Sequence, residues 1–260
     1  MSSVRLVPTE FTSDGEVVRG DFVVPSGGGP FPGVCKFHGL PASRDQVSGV
    51  ASKLASAGFL VLTFDFRGFR KSDGIFRLSR EIEDAKHAVT HLLESELSIK
   101  GWVGVYGASY GGAVAICSAA RDKRISCVCV RAPVYDTLAF AGSPMIQPAV
   151  DELLRNDPDA LHGLTNADLR KQILEWMIED GAKFNPMNQI SKISPRPLLV
   201  IAGEADEGID LVGVQRLFGL AKEPKELLAV KGADHELTDP KARETTMDRV
   251  VAWFRTQRPR

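Results

Sequence analysis

Residues 102–112 read Trp102-Val-Gly-Val-Tyr106-Gly107-Ala-Ser109-Tyr-Gly111-Gly112, and this stretch decides the fold. Its first half is a short apolar, β-branched run, the pattern of a buried strand. Its second half passes without a break into a small-residue helix running from Tyr110 to about Ala120. Between the two lies Gly-x-Ser-x-Gly. A strand-to-helix turn this tight holds its serine in a strained backbone conformation with the oxygen exposed. The flanking positions must be glycine, because a Cβ there would collide with the neighbouring strand or helix. The helix N-terminus places free N–H groups and a positive dipole end beside that oxygen. Acyl transfer needs such surroundings, since a nucleophile attacks and an oxyanion must be stabilised. No Lys-Ser/Thr follows these glycines, as a P-loop requires. Gly101, Gly104 and Gly107 are spaced G-x-x-G-x-x-G, which is not the dinucleotide fingerprint.

The same strand–loop–helix rhythm extends in both directions. Residues 4–11 and 16–24 read as a hairpin around the turn signal Ser13-Asp14-Gly15. A Gly/Pro-rich connector, residues 25–32, leads into the short strand Gly33-Val-Cys-Lys-Phe37, which ends at His38-Gly39. Helices are expected over 46–57, 79–94 and 239–254, and further strands over 59–64, 126–131, 197–202 and 226–230. Strands of four to seven apolar residues separated by helices predict an α/β architecture, a doubly wound and mostly parallel sheet of about eight strands with helices on both faces. Only residues 136–194 interrupt the rhythm. They hold helical segments such as 147–155 and 166–179 and no strand. An insertion this short reads as a small helical cap on one domain spanning 1–260, because independent domains usually need about 100–150 residues.

A serine nucleophile requires a base, and the chain has five histidines. His87 and His91 lie one turn apart on an expected helix, where packing or a solvated face explains them. His162 sits in the insertion and reads as a surface residue. His38 ends an early strand. His235, in Gly232-Ala-Asp-His235-Glu, follows the last apolar strand, and loops beyond the C-terminal ends of parallel strands are where open α/β sheets build sites. The third member is a carboxylate that orients the imidazole. Asp206, in Gly203-Glu-Ala-Asp206-Glu-Gly-Ile-Asp210, is the first choice. Glu204, Glu207, Asp210 and, after the preceding strand, Asp136 remain alternatives. In the insertion Phe140, Met145, Trp176 and Met177, with Ile146 and Leu174, are apolar side chains that could roof an acyl pocket; simple packing explains the same pattern.

Composition removes other classes. The chain is 43% hydrophobic and 25% charged, ordinary values for a soluble globular protein. Lys plus Arg number 32 against 33 Asp plus Glu, a net charge of −1, so no basic field exists to hold nucleic acid. Cys35, Cys117, Cys127 and Cys129 form neither a C-x-x-C pair nor a zinc-finger cluster. Cys127 and Cys129 alternate along a strand and read as small buried hydrophobes on one face. A disulfide framework is not expected at this size, which fits a reducing compartment. The stretch Met1-Ser-Ser-Val-Arg-Leu-Val-Pro8 lacks the apolar core of a signal peptide, and no run reaches the roughly 18 residues of a membrane span. A cytoplasmic protein without metal or cofactor is expected, with a small-molecule acyl substrate as its partner; a homodimer is compatible with the sequence.

Together these motifs resemble the α/β-hydrolase superfamily, in its single-domain esterase and dienelactone-hydrolase-like or serine-aminopeptidase-like branches. The resemblance covers about residues 20–254. It rests on His38-Gly39, Asp65-Phe-Arg67-Gly68, Gly107-x-Ser109-x-Gly111 and the strand ends that carry Asp206 and His235, in the order nucleophile, acid, base. It implies that the backbone N–H groups of Leu40 and Tyr110 form an oxyanion hole and that His38 is a structural loop residue. It also implies hydrolysis of small carboxylic esters through an acyl-enzyme on Ser109. Alternatives on the same residues are an aminopeptidase or amidase, a thioesterase, or a non-catalytic ligand-binding module. The chain departs from the pattern twice. Arg70 stands where relatives often carry the second glycine of Asp-x-Arg-Gly-x-Gly-x-Ser, which suggests a different loop path. Gly203-Glu-Ala-Asp206 replaces the common Gly-Asp-x-Asp. Arg67, Arg70 and Lys71 admit an anionic substrate, though a solvated loop paired with nearby carboxylates is the reading that the sequence favours.

Overall fold

Asp14 and Gly15 both take positive φ, 48° and 86°, and close a two-residue turn. That turn pairs β1 (Arg5–Ser13) with β2 (Glu16–Val24), with Ser13 opposite Glu16. The structure, a computed structural model, describes residues 4–259. Residues 1–3 and 260, including the start of the Met1–Pro8 stretch and both ends of the expected 1–260 domain, lie outside the described residues. Six further strands complete the sheet: β3 (Phe31–Phe37), β4 (Leu60–Phe64), β5 (Ser98–Ala108), β6 (Cys127–Arg131), β7 (Leu198–Gly203) and β8 (Lys225–Val230). Their order is β1-β2-β4-β3-β5-β6-β7-β8. β3 to β8 run parallel, and the opening hairpin joins β4 antiparallel.

The central strands are apolar on both sides because each face is covered by helices. Cys127 and Cys129 share one face, as their alternation requires, and pack with α1 (Val50–Ser56) and α8 (Pro240–Gln257) through Leu54, Trp253 and Phe254. Val128 and Val130 face the opposite layer. There α2 (Leu78–Glu94) contributes Ile82, Ala85 and Val89, and α3 (Tyr110–Arg121) contributes Ala113 and Ile116. All four cysteines are buried thiols.

Between β6 and β7 the chain forms α4 (Thr137–Ala141), α5 (Ile146–Asn156) and α6 (Ala167–Lys183), with short 3-10 turns and no named strand. α7 (Leu211–Leu220), after β7, was not anticipated. Leu211, Val214, Leu217 and Phe218 recur at helical spacing behind the Asp210 cap, and its glycine at position 213 lies where a Cβ would come within 2.1 Å of the Tyr135 ring.

Two boundaries also differ from expectation. The helix expected from residue 46 begins at Val50, because the Asp45 carboxylate accepts from the Val47 and Ser48 amides at 2.9 Å each and holds a turn there. β5 starts at Ser98 rather than 102. It passes through Gly101 at φ 78° and pairs Ser98 with Phe31 across a register shift.

The loop after β4 corrects three readings. Arg67 is not a solvated loop residue. It is 2% exposed, and its Nε donates to Asp84 at 2.6 Å, with further bonds to Asp14, Glu16 and the Ser13 carbonyl. Arg70 is not solvated either: its side chain is 12% exposed, and it adopts φ 45°, a left-handed conformation that favours glycine. Its side chain holds that residue in place, donating to the Ala42 carbonyl at 2.7 Å and to both oxygens of Asp157. His162 is not a free surface residue, since its ring nitrogens lie 3.0 Å from the Gly74 and Arg70 carbonyls. The cap therefore grips this loop at two points.

Candidate active site

Ser109 sits at φ 54° and ψ −122° between β5 and α3, a conformation that side-chain-bearing residues rarely adopt. Its neighbours make that turn possible. A Cβ at Gly107 would come within 2.1 Å of the Gly111 carbonyl, and one at Gly111 within 2.4 Å of the Phe37 and His38 carbonyls. The turn thus packs against helix on one side and strand β3 on the other, as the motif requires.

The His235 ring meets this serine. Its Nε2 lies 3.0 Å from Ser109 Oγ, and its Nδ1 lies 2.8 Å from Asp206 Oδ2. A carboxylate only accepts, so Nδ1 carries the proton and Nε2 is left to accept from the hydroxyl. Asp206 is 6% exposed. Burial pushes its carboxyl up, but hydrogen bonds from His235 and from the Ile209 and Gly208 amides outweigh this and hold it below its ordinary range. The two amides lie 2.8 and 3.0 Å from Oδ1. Arg131 donates to the His235 carbonyl at 2.6 Å and anchors the loop from β6.

The other carboxylates weighed for this position are used elsewhere. Asp136 caps α4 through the Leu138 and Ala139 amides and accepts from Asn185. Asp210 caps α7 and accepts from the Tyr135 hydroxyl at 2.6 Å. Glu204 and Glu207 are exposed.

His38 is buried beneath the same loop. Its Nδ1–H donates to the Gly39 carbonyl at 2.7 Å, and its Nε2 accepts from the Phe66 amide at 3.0 Å. Burial pushes its pKa down to about 3, so the ring is neutral and fixes the turn that carries Leu40. Gly39 lies so close that a Cβ there would sit 3.2 Å from the Ser109 Cβ. The amides of Leu40 and Tyr110 donate to no other described residue.

Two cavities meet at Leu40, Pro41 and Glu236. One, of about 480 Å³, is an apolar chamber under the cap, lined by Phe76, Phe140, Leu161, Ile173, Leu174 and Met177. Of the pocket residues expected from sequence, Phe140, Ile146, Leu174 and Met177 line it. Met145 does not: it is 68% exposed. Trp176 lies outside the lining and stacks on the Arg77 guanidinium at 5.3 Å. The helical period that suggests these residues does not reveal which way the helix is turned.

The second cavity, also about 480 Å³, holds Ser109 and His235 and is the more polar of the two. Lys36, Arg44 and Glu236 line it and were missed at the sequence level. The available signal was a lysine inside the otherwise apolar strand Gly33–Phe37. Among the described residues no cluster of three or more His, Cys, Asp or Glu is arranged to hold a metal ion, and no helix is long and apolar enough to cross a membrane.

Comparison with known sequences completes the picture: the profile of the X-Pro dipeptidyl-peptidase (S15) family matches residues 14–235. The chain belongs to the S15 family. It is an α/β hydrolase in architecture as well. The polyketide transferase grgF of Penicillium sp. is 27% identical to this S15 chain, over 87% of it and 88% of the relative. The crystal structure of GrgF superposes with a TM-score of 0.74, at 23% identity, covering 97% of this chain and 99% of the other. Est1E of Butyrivibrio proteoclasticus, solved with ferulic acid bound, superposes at TM-score 0.77 and 16% identity, covering 96% and 98%. These two superpositions show the shared fold.

Proposed function

We propose that this chain is a serine hydrolase of small carboxylic esters, with Ser109 as nucleophile, His235 as base and Asp206 as orienting acid. The observation that carries the reading is the hydrogen-bonded run Asp206–His235–Ser109 at the junction of an apolar chamber and an open cleft. His235 Nε2 takes the Ser109 proton as Oγ attacks the ester carbonyl. The resulting oxyanion is held by the N–H groups of Leu40 and Tyr110. His235 then returns the proton to the departing alkoxide, and water activated by the same ring frees the acid. Asp206, kept ionised, steadies the imidazolium. The acyl chain lies in the chamber lined by Phe140, Ile173 and Met177, whose volume suits a short to medium acyl group.

The S15 family name supports a second reading, cleavage after a prolyl residue. Recognition of a substrate's terminal ammonium needs unpaired carboxylates facing Ser109. The cleft offers Glu236 there, among four cations. The test is a side-by-side assay of p-nitrophenyl esters of increasing acyl length and of X-Pro p-nitroanilides. Turnover of the esters with little of the anilides supports the ester reading, and the reverse preference overturns it.

A further inference from the structure

Strand periodicity puts Lys36 on the sheet face that carries Val34, and Arg131 on the face that carries Cys127 and Cys129. This is one and the same face, where Lys36 of β3 stands in register with Tyr106 of β5, and Arg131 of β6 with Ala108. It is mostly apolar, with Thr63 beside Lys36, and packed under α1 and α8. Two cations at its C-terminal edge carry a desolvation cost that packing alone does not repay.

Neither cation is fully used within the protein. Lys36 donates to the Gln46 carbonyl at 2.9 Å and side-chain oxygen at 2.6 Å, which leaves one of its three N–H groups. Arg131 commits Nη1 to the His235 carbonyl and also donates to the Tyr106 hydroxyl, which leaves part of its fork free. Both line the cleft that holds Ser109 and His235, together with Arg44 and Arg70. Against these four cations the cleft lining sets two carboxylates, Asp157 and Glu236, while Asp45 and Asp65 stand near Lys36 outside that lining. Both oxygens of Asp157 are already taken by Arg70, and Arg44 bonds one of them. The chain's net charge is −1, so the positive character of this cleft is local.

Chemistry assigns the cleft its part of the substrate. The departing oxygen must receive a proton from His235 Nε2, so the leaving group lies on the histidine's side of the scissile bond. His235 lines the cationic cleft and not the apolar chamber. We propose that this cleft is the leaving-group subsite and selects esters whose alcohol portion carries a negative charge, read by Lys36 and Arg44. The proposal rests on the serine-hydrolase reading and adds the substrate's charge to it. Of the Arg67–Arg70–Lys71 run, Arg67 is buried away from the cleft, and Arg70 lines it but commits four of its five N–H groups to the Ala42 carbonyl and Asp157.

A matched pair of substrates tests this: the butyrate ester of para-hydroxyphenylacetate and the butyrate ester of its methyl ester. The methylene insulates the phenol, so the two leaving groups differ mainly in charge. At neutral pH and low salt, kcat/KM should favour the anionic ester by about tenfold, the effect of one partly screened charge pair. Lys36→Met should bring the ratio close to one, chiefly by slowing the anionic ester. Arg44→Ala, at a side chain that is 73% exposed and safe for folding, should lower the ratio partway. Parity in the native protein, or a preference that survives both substitutions, overturns the subsite while the neutral ester is still hydrolysed. Loss of both substrates together with an unreactive Ser109 instead overturns the hydrolase reading, and the subsite with it.

Discussion

Arg70 grips Asp157 with two parallel hydrogen bonds, Nη1 to Oδ1 at 2.9 Å and Nη2 to Oδ2 at 2.6 Å. One residue belongs to the loop after β4 and the other ends α5, so the pair ties the cap to the sheet beside Ser109. A planar fork of this kind resists rotation better than a single contact does.

The tether has a pH signature. The Arg70 hydrogen bonds, opposed by burial and helped by Arg44, pull the Asp157 carboxyl down to about 2. The folded value thus lies below the ordinary carboxylate value near 3.9. Its stabilising effect is complete above about pH 4 and is lost as pH falls towards 2. Asp157→Asn should therefore melt below the native protein above about pH 4, with the gap closing on acidification. Melting curves across that window check it; a gap of constant size speaks against the tether.

Asp206→Asn tests the orienting acid separately from the fold. The amide oxygen can still accept from Ile209 and Gly208, but the charge that steadies the imidazolium is gone. By analogy with other serine hydrolases, kcat should fall about 10³- to 10⁴-fold with KM nearly unchanged. Steady-state kinetics on a p-nitrophenyl ester, with circular dichroism as the folding control, measure this. A loss below about tenfold would leave Asp206 a structural carboxylate.

Arg67 answers a different question. Asp84 is fully buried, and burial pushes its carboxyl up against the pull of Arg67. Arg67→Met strips the pair of its cation and leaves that acid unpaired, so unfolding should become easier by about 3–5 kcal/mol. Urea unfolding gives the number. A change under about 1 kcal/mol shows the network to be dispensable.

Lys36 should make the charge preference titrate. Burial pushes its ammonium down to about 8, against the pull of Asp45 and Asp65. In the folded protein the cation is present below that pH and lost above it. The ratio of anionic to neutral ester turnover should decline as pH rises through about 8, and Lys36→Met should remove the step. A flat ratio in the native protein assigns the selectivity to the arginines.

Much of this arrangement is legible in the chain itself. Gly107-x-Ser109-x-Gly111 declares its turn because backbone contacts leave no room for a Cβ on either side. The order of strand ends places Asp206 and His235 at one edge of the sheet. What stays hidden depends on three-dimensional neighbours. Arg70 reads as a departure from the glycine pattern, yet Ala42 and Asp157 hold it in the glycine conformation. Met145 and Met177 look alike as apolar residues of the cap, and only the rotation of α6 turns Met177 inward.

The most direct measurement is the mass of the protein after treatment with a fluorophosphonate. One covalent adduct is expected, on the peptide that carries Ser109, lost in Ser109→Ala along with ester turnover and much slower to form in His235→Ala. An unmodified Ser109 peptide, or full ester hydrolysis by Ser109→Ala, would contradict it.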